Sequence, residues 1–475
     1  MNEANRRILL TAARSAARSA ALLAVALATI PATAAPLPNP AGPDAMAPEL
    51  AETPNGAVLT WIEPVDDGHA LRFAEFHGDG FGRSGEIARG TGWFVNWADT
   101  PRLFVVPDVA SEVATSALPS GDWIAHWPVK SGESTYAYDV VVARSSDRGE
   151  TWTLPAIPHR DGTKTEHGFV SYFADAAGTP HLVWLDGRHT AVAAGDDAED
   201  GAHGAGHDAG HGTGHGDIHG EGRDKSAAMT LRTASMVGAA FGPSIELDDR
   251  VCDCCQTASA LTDAGPVVVY RDRTEDEVRD IYIVRRIDGE WTEPAPVAED
   301  GWTIGGCPVN GPDVAARGSH VAAAWFTMAG YVPAVRLAVS KDAGATFHAT
   351  RRFSEGTALG RVQLARHGGD WLLMWMDEVD GGAALKLARL GPDGETREMR
   401  ELADLGPGRG SGFPRMAVIE STHGDQLLVA WTASSLDTSG ERTTHVRTAV
   451  FDLGPDLDRD LDRDLDRDAD SPPAG

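Results

Sequence analysis

Three of the four cysteines in this 475-residue chain stand together in Val251-Cys252-Asp253-Cys254-Cys255-Gln256-Thr257, and the fourth is Cys307, in Gly305-Gly306-Cys307-Pro308. Thiolates grouped in this way are soft metal ligands and nucleophiles. If all four were structural, only one of the trio could pair with Cys307, and the other two would have to pair with each other. Rings that short sit poorly with the Cα separation of about 4.4–6.8 Å and the χ3 near ±90° that a disulfide prefers. The spacing therefore favours a metal or redox role: a soft-metal site, or one disulfide beside two functional thiols. Cys-x-Cys-Cys is tighter than the usual zinc knuckle, which ranks copper(I) ahead of zinc(II).

Further ligands lie in an insertion at 190–226, where His203, His207, His211, His215 and His219 recur every fourth residue among Gly, Ala and acidic residues. The glycine content argues against a helix and for an exposed loop. Imidazoles on such a loop would capture Cu(II), Ni(II) or Zn(II) with little selectivity. Met328 would add a thioether, although methionine more often fills gaps in a core. His167 opens a strand, where a lone histidine commonly serves a backbone group.

These residues need a frame to bring them together. An apolar run ending near an aromatic recurs seven times, at Trp61, Trp127, Trp184, Tyr270, Trp325, Trp375 and Trp431. Each run follows a short strand and a Gly-, Asp- or Asn-rich turn, and each precedes an alternating strand such as Ile281-Tyr282-Ile283-Val284-Arg285. All-β units roughly 50 to 90 residues apart, none able to bury its own faces, define a propeller. The expected fold is all-β, a seven-bladed β-propeller over 36–453. Strands within a blade alternate in direction, so blade-to-blade connections share one face with the loops between second and third strands. All four cysteines and the histidine insertion fall on that face. In blade 7 no fourth strand follows Phe451, and the segment from about Pro36 to Met46 is expected to supply it.

The opposite face carries Ser145-Ser146-Asp147-Arg148-Gly149-Glu150-Thr151-Trp152 and, three blades on, Ser340-Lys341-Asp342-Ala343-Gly344-Ala345-Thr346-Phe347. These resemble the Asp-box (BNR) repeat of the sialidase superfamily. The resemblance implies a sialidase-type propeller, with six blades as the alternative count. It assigns Ser145, Asp147, Gly149 and Trp152, and Ser340, Asp342, Gly344 and Phe347, to structural turns. Sialidases also use an arginine triad, a Tyr–Glu nucleophile pair and an aspartic acid/base. Here the early Phe/Tyr-Arg-Ile-Pro motif is missing and no tyrosine follows Tyr331. Arg188, Arg271, Arg361 and Arg415 are the candidate rim arginines, and Asp186, Asp272, Asp377 and Glu378 the carboxylates that follow second strands. The catalytic set is incomplete, so the enzyme expectation leans to no; if the chain is an enzyme, it is a sialidase-like glycoside hydrolase.

Residues 1–35 read as a signal peptide: arginines, the short apolar run Ala20 to Ile30, then Ala32-Thr33-Ala34. A periplasmic or secreted protein is expected, with no membrane span. Residues 454–475 form an acidic Leu-Asp-Arg-Asp tail, expected to be solvated and disordered. A formal charge of −29 disfavours nucleic acid and favours cations. The sequence thus points to an exported propeller that binds a soft metal, copper first and zinc second, for metal handling or a periplasmic protein partner. A glycan-binding or glycan-hydrolysing propeller is the alternative, and a disulfide-stapled interaction scaffold the third reading.

Overall fold

The structure, a computed structural model, describes residues 35–107, 121–191, 228–348, 350–406, 409–421, 424–436 and 442–454. Each repeated apolar run forms the second strand of a separate antiparallel sheet, and the described sheets number seven. Blade 1 is Met46–Thr53, Gly56–Val65, Gly68–Phe76 and Phe81–Gly90; blade 6 is Ala358–His367, Asp370–Val379, Gly382–Leu390 and Thr396–Leu405. Blade 2 has three strands, Arg102–Val105, Trp123–Lys130 and Tyr138–Ser145, with Ala156 bridging Val142 in the fourth place. The seven-blade count holds and the six-bladed alternative does not. Among the described residues there is no α-helix, and no helix long and apolar enough to cross a membrane.

Why the second strands read as continuous apolar runs follows from their position. Pro180–Asp186 and most of Gly56–Val65 are buried on both faces, because each blade is packed between two others. Apolar layers therefore lie between neighbours. Trp325 packs with Val267, Ile283 and Val321 between blades 4 and 5, and Trp375 with Val335 and Leu337 between blades 5 and 6. Burying one such aliphatic side chain is worth about 1.5–3 kcal/mol, so the ring as a whole is the stabilising unit.

The ring closes between blades 7 and 1. Blade 7 comprises Arg415–Ile419, Asp425–Leu436 and Arg442–Gly454, and its outer place is taken by Ala35–Pro36, paired to Val450 and Ala449. The N-terminal segment supplies the missing strand, but earlier and shorter than the sequence suggested. Leu37, Ala41 and Ala45 then pack in the seam between the two blades, and Met46 already belongs to blade 1.

The turns at Ser145–Thr151 and Ser340–Thr346 have the same hydrogen bonding. Asp147 Oδ1 accepts from the Ser145 hydroxyl (2.7 Å) and the Thr151 amide (2.9 Å), Oδ2 accepts from the Thr151 hydroxyl (2.6 Å), and the Gly149 amide donates to Ser145 Oγ. Asp342 repeats this with Ser340 and Thr346 at 2.7, 2.8 and 2.6 Å, and Gly344 donates to Ser340 Oγ. Gly149 has φ +87°, and a Cβ there would lie 2.9 Å from the Phe73 ring and 3.0 Å from Trp123. Trp152 and Phe347 pack against the adjoining apolar layers. The turns thus pin each hairpin to the neighbouring blade.

The innermost strands raise a problem that sheets alone do not solve. Each pairs with a second strand on one edge only, and its other edge faces the neighbouring blade across the channel wall. Side chains supply the missing acceptors. Asp99 Oδ1 accepts from Phe169 N (2.9 Å), Gln256 Oε1 from Gly311 N (3.0 Å) and Asn310 Oδ1 from Arg361 N (2.8 Å). Asp313 Oδ2 accepts from Leu364 N (2.7 Å), Gln363 Oε1 from Met416 N (2.6 Å) and Glu52 Oε1 from Val418 N (2.8 Å).

The Thr151 hydroxyl and amide hold the Asp147 carboxyl down at about 2, below its ordinary 3.8. A depressed carboxyl stabilises the fold above its unfolded value, and that contribution disappears as pH falls through the folded one. Asp147→Ala should therefore melt lower than the wild type at neutral pH, and the gap should close between about pH 4 and pH 2. A gap independent of pH in thermal melts would contradict this account of the turn.

Candidate functional site

The cysteines converge as their topology requires. Cys252 follows the outer strand of blade 3, Ile245–Val251, and Cys307 lies in the connection that precedes the inner strand of blade 5, Asp313–Arg317. The Sγ atoms of Cys252, Cys254 and Cys255 lie within 4.8 Å of one another, and the Cα atoms of Cys254 and Cys307 are 6.1 Å apart. Where the sequence favoured a soft-metal site, or one disulfide beside two functional thiols, over two plain staples, two disulfides form. All four are paired, Cys252 with Cys255 and Cys254 with Cys307. Ring size was a poor guide, because a tight turn over Asp253–Cys254 brings the Cα atoms of Cys252 and Cys255 to 5.8 Å. A four-residue turn places its ends within about 7 Å, which is disulfide range.

The two bridges differ in exposure. Cys252 and Cys255 are buried, Cys254 is half-buried and Cys307 is exposed. Arg279, itself buried, places Nη1 3.5 Å from Cys252 Sγ and pairs with Glu277 (2.8 Å) and Asp253 (3.6 Å). Met328 does not serve this cluster as its expected role required; its side chain packs against the apolar layer between blades 5 and 6. His203, His207, His211, His215 and His219 lie outside the described residues, in an insertion that leaves blade 3 after Ala191 and returns at Ala228.

Most of the carboxylates and arginines singled out for hydrolysis are occupied in the frame. Trp184 Nε1 donates to Asp186 Oδ2 (2.8 Å), which Arg188 also holds, and Trp375 Nε1 donates to Asp377 Oδ1 (3.1 Å). Trp61 and Glu63 repeat the pattern in blade 1 at 2.9 Å. The Arg271 guanidinium is buried and donates to the carbonyls of Asn310, Arg279 and Phe326. Arg361 donates to Gly412 O and sits over the Trp97 ring at 5.1 Å.

Two other groups could place three ligand atoms near one ion: Asp139, His159 and His167, and Asp161, His167 and Asp186. Arg188 already occupies the latter, 2.7 Å from Asp186 and 3.4 Å from Asp161. In the former the two imidazoles stack at 3.7 Å and 3°, so their lone pairs lie in separate parallel planes. Neither is arranged for an ion. Burial opposes charge on His167, but Asp139 and Asp161, 3.5 and 3.4 Å away, outweigh it and raise its affinity for a proton. Its Nδ1 also approaches Tyr138 O at 3.4 Å, the backbone role expected of a strand-opening histidine.

Of the remaining polar group only Arg415, a candidate rim arginine, was read from the sequence. A cavity of about 190 Å³ in the central channel is lined by inner-strand residues of all seven blades, among them Glu49, Arg102, Ser171, Ser259, Asp313, Gln363 and Arg415. Glu49 Oε1 meets Arg415 Nη2 at 2.6 Å, Arg102 Nε at 3.4 Å and the Thr100 hydroxyl at 2.8 Å. Burial pushes Asp313 up to about 6 against the pull of its backbone hydrogen bonds from Leu364 and Val314. A signal was present: Glu49, Asp313 and Gln363 each stand twelve residues before the tryptophan of their blade, Trp61, Trp325 and Trp375.

No family model matches the sequence, and neither does any curated protein. Among solved structures the chain is similar to the GH93 alpha-L-arabinofuranosidase of Fusarium graminearum in complex with arabinobiose, at 12% identity over 86% of this chain and 93% of that one, TM-score 0.42. It is also similar to the alpha-L-arabinanase of Penicillium chrysogenum (14% identity, 89% and 97% covered, TM-score 0.43). A third is the NanB sialidase of Streptococcus pneumoniae (10%, 84% and 83%, TM-score 0.43). The propeller assignment rests on the seven sheets, and no function is transferred at these scores.

Two outcomes follow for this region. Protein unfolded without reductant should show no reactive thiol towards Ellman's reagent and four after reduction; two free thiols at the start would break the pairing. Separately, burial, and then the Asp248 carboxylate, push Asp272 up to about 7. A raised carboxyl destabilises the fold above that pH, and the penalty fades as pH falls towards the unfolded 3.8. Asp272→Asn should thus gain on the order of 1–2 kcal/mol at about pH 8 and nothing near pH 4, measured by urea unfolding.

Proposed function

We propose that the protein binds a neutral carbohydrate in its central channel without hydrolysing it. The observation that carries this reading is the charge-balanced cavity in which Arg102 and Arg415 face Glu49 and Asp313. Two guanidinium groups and two carboxylates cancel, so the cavity suits neither an anion nor a cation. Sugar hydroxyls, which donate and accept at once, match such a lining, and Phe104, Tyr172 and Phe413 add apolar surface beside it. At about 190 Å³ the space takes a single sugar unit rather than a chain. Turnover is a separate matter. A hydrolase needs one carboxyl to protonate the leaving group and a second to attack or activate water. Both Asp313 oxygens are engaged by backbone amides, Val314 at 2.9 Å and Leu364 at 2.7 Å, and Glu49 is tied to Arg415.

Titration of neutral mono- and disaccharides, arabinose and arabinobiose among them, followed by calorimetry should give saturable binding. Ser259→Phe, which fills the channel, should weaken it at least about tenfold, a loss of about 1.4 kcal/mol. A fluorogenic sialoside should stay uncleaved. Sialic acid binding in preference to neutral sugars, or no sugar binding at all, would overturn the proposal.

A second reading rests on the four converging sulfurs. After reduction of both disulfides, Cys252, Cys254, Cys255 and Cys307 would offer four thiolates to a soft ion, copper(I) first and zinc(II) second. The histidine insertion would then act as a feeder for Cu(II). The two disulfides support export to an oxidising compartment, periplasmic or extracellular. Fully reduced protein should compete with a copper(I) chelator, and replacing Cys254 and Cys255 with serine should abolish that competition. Retention of full affinity in the double variant would sink this reading.

A further inference from the structure

The geometry points to a dithiol oxidase site, in which the exposed Cys254–Cys307 bridge relays reducing equivalents to the buried Cys252–Cys255 bridge. This activity is independent of the carbohydrate site and of metal binding, and uses the oxidised protein. Three observations carry it. The two bridges share adjacent residues, and the sulfurs of Cys252, Cys254 and Cys255 lie within 4.8 Å of one another, so intramolecular exchange needs only small side-chain rotations. The bridges are graded in access, from exposed Cys307 through half-buried Cys254 to buried Cys252 and Cys255. The Arg279 guanidinium stands 3.5 Å from Cys252 Sγ, at the inner end of that gradient.

The co-reactant is a dithiol, either a reduced protein or a small molecule. One of its thiolates attacks Sγ of Cys307, the exposed cysteine of the four; the Cys254–Cys307 bond breaks and Cys254 leaves as a thiolate. The Cys254 thiolate attacks Cys255 Sγ, breaking the Cys252–Cys255 bond and expelling the Cys252 thiolate towards Arg279. The transient bond between Cys254 and Cys255 joins adjacent residues, whose Cα atoms are about 3.8 Å apart, below the range disulfides prefer. It is resolved when the second thiol of the co-reactant displaces Cys307, whose thiolate attacks Cys254 and releases Cys255. Cys254 and Cys307 react onward as thiolates, and only the Cys252 and Cys255 thiolates take up protons, the two that the co-reactant's thiols give up. The balance is one dithiol oxidised to a disulfide, Cys252–Cys255 reduced to two thiols, and Cys254–Cys307 restored; two electrons and two protons have moved.

Arg279 gives the relay its direction. A cation beside a sulfur stabilises its thiolate, and a pair whose reduced form is stabilised is the stronger oxidant. Glu277 and Asp253 hold Arg279 in place, and Arg273, paired with both at 2.7 and 3.2 Å, keeps the local charge near neutral. Arg279 is a positioning residue for charge at Cys252, not a participant in bond exchange.

The test is limited reduction of the full-length oxidised protein with one equivalent of dithiothreitol, an acid quench, alkylation and peptide mapping. The expected result is alkylation of Cys252 and Cys255 with Cys254–Cys307 intact. Alkylation of Cys254 and Cys307 with Cys252–Cys255 untouched would reduce the site to an exposed staple and overturn the relay. Cys307→Ser should slow labelling of Cys252 and Cys255 by at least about tenfold; an unchanged rate would mean direct attack on the buried bridge and would also overturn it. Arg279→Gln, which keeps all four cysteines, offers a check that does not depend on that variant folding. The pH profile for alkylation of reduced Cys252 should move to higher pH, whereas an unmoved profile would remove the direction assigned to the relay.

Discussion

An inner strand with one unpaired edge is the constraint on which this propeller depends. Seven such edges meet around the channel, and an unmade backbone hydrogen bond in a buried place costs about 1–3 kcal/mol. The chain meets the cost with short polar side chains that reach across to the next blade: Asp99, Gln256, Asn310, Asp313, Gln363 and Glu52. These bonds fix the register between blades that share no sheet. They also decide what the channel can do chemically, since a carboxylate held by two amides is a structural acceptor before it is an acid.

The same economy of polar groups governs the outer parts of each blade. A tryptophan near the end of a second strand buries its ring between blades, but its indole N–H then needs an acceptor. Glu63, Asp186 and Asp377, each two residues on, provide it, because residues two apart project on the same face of a strand. Carboxylates that look poised for hydrolysis in the sequence are thereby bound to the frame. On the opposite face Asp147 and Asp342 close the hairpins, again using carboxylates as turn acceptors.

What is left over from these structural duties lies on the face of the blade-to-blade connections. There the chain between blades 3 and 4 and the chain between blades 4 and 5 approach each other, and their sulfurs meet. The channel cavity and the sulfur cluster are adjacent in sequence, since Gln256 and Thr257 of the channel wall directly follow Cys255. One connection therefore positions both, through Gln256, which donates to Ala98 O and accepts from Gly311 N.

The repeat of apolar run and aromatic was enough, by itself, to determine an all-β chain of seven blades, because a strand buried on both faces must be apolar throughout and none of these units can stand alone. The two Ser-x-Asp turns were equally legible, since the hydrogen bonds that shape them, from Ser145 to Thr151 and from Ser340 to Thr346, join residues two or four apart. The shared face of the cysteines followed from strand alternation. Their pairing did not, because the turn that brings Cys252 to Cys255 and the approach of Cys307 are set by how blades 3, 4 and 5 pack. Met328 likewise looked like a ligand and became core, since only packing decides which way a thioether points. Of the channel residues Arg415 alone was legible, as a rim arginine; Glu49, Arg102 and Asp313 stayed hidden for the same reason. The four channel residues come from four blades, up to 366 residues apart in the case of Glu49 and Arg415, and the spacing of Glu49 and Asp313 to their tryptophans marks a place in each blade but not the meeting that closure of the ring creates.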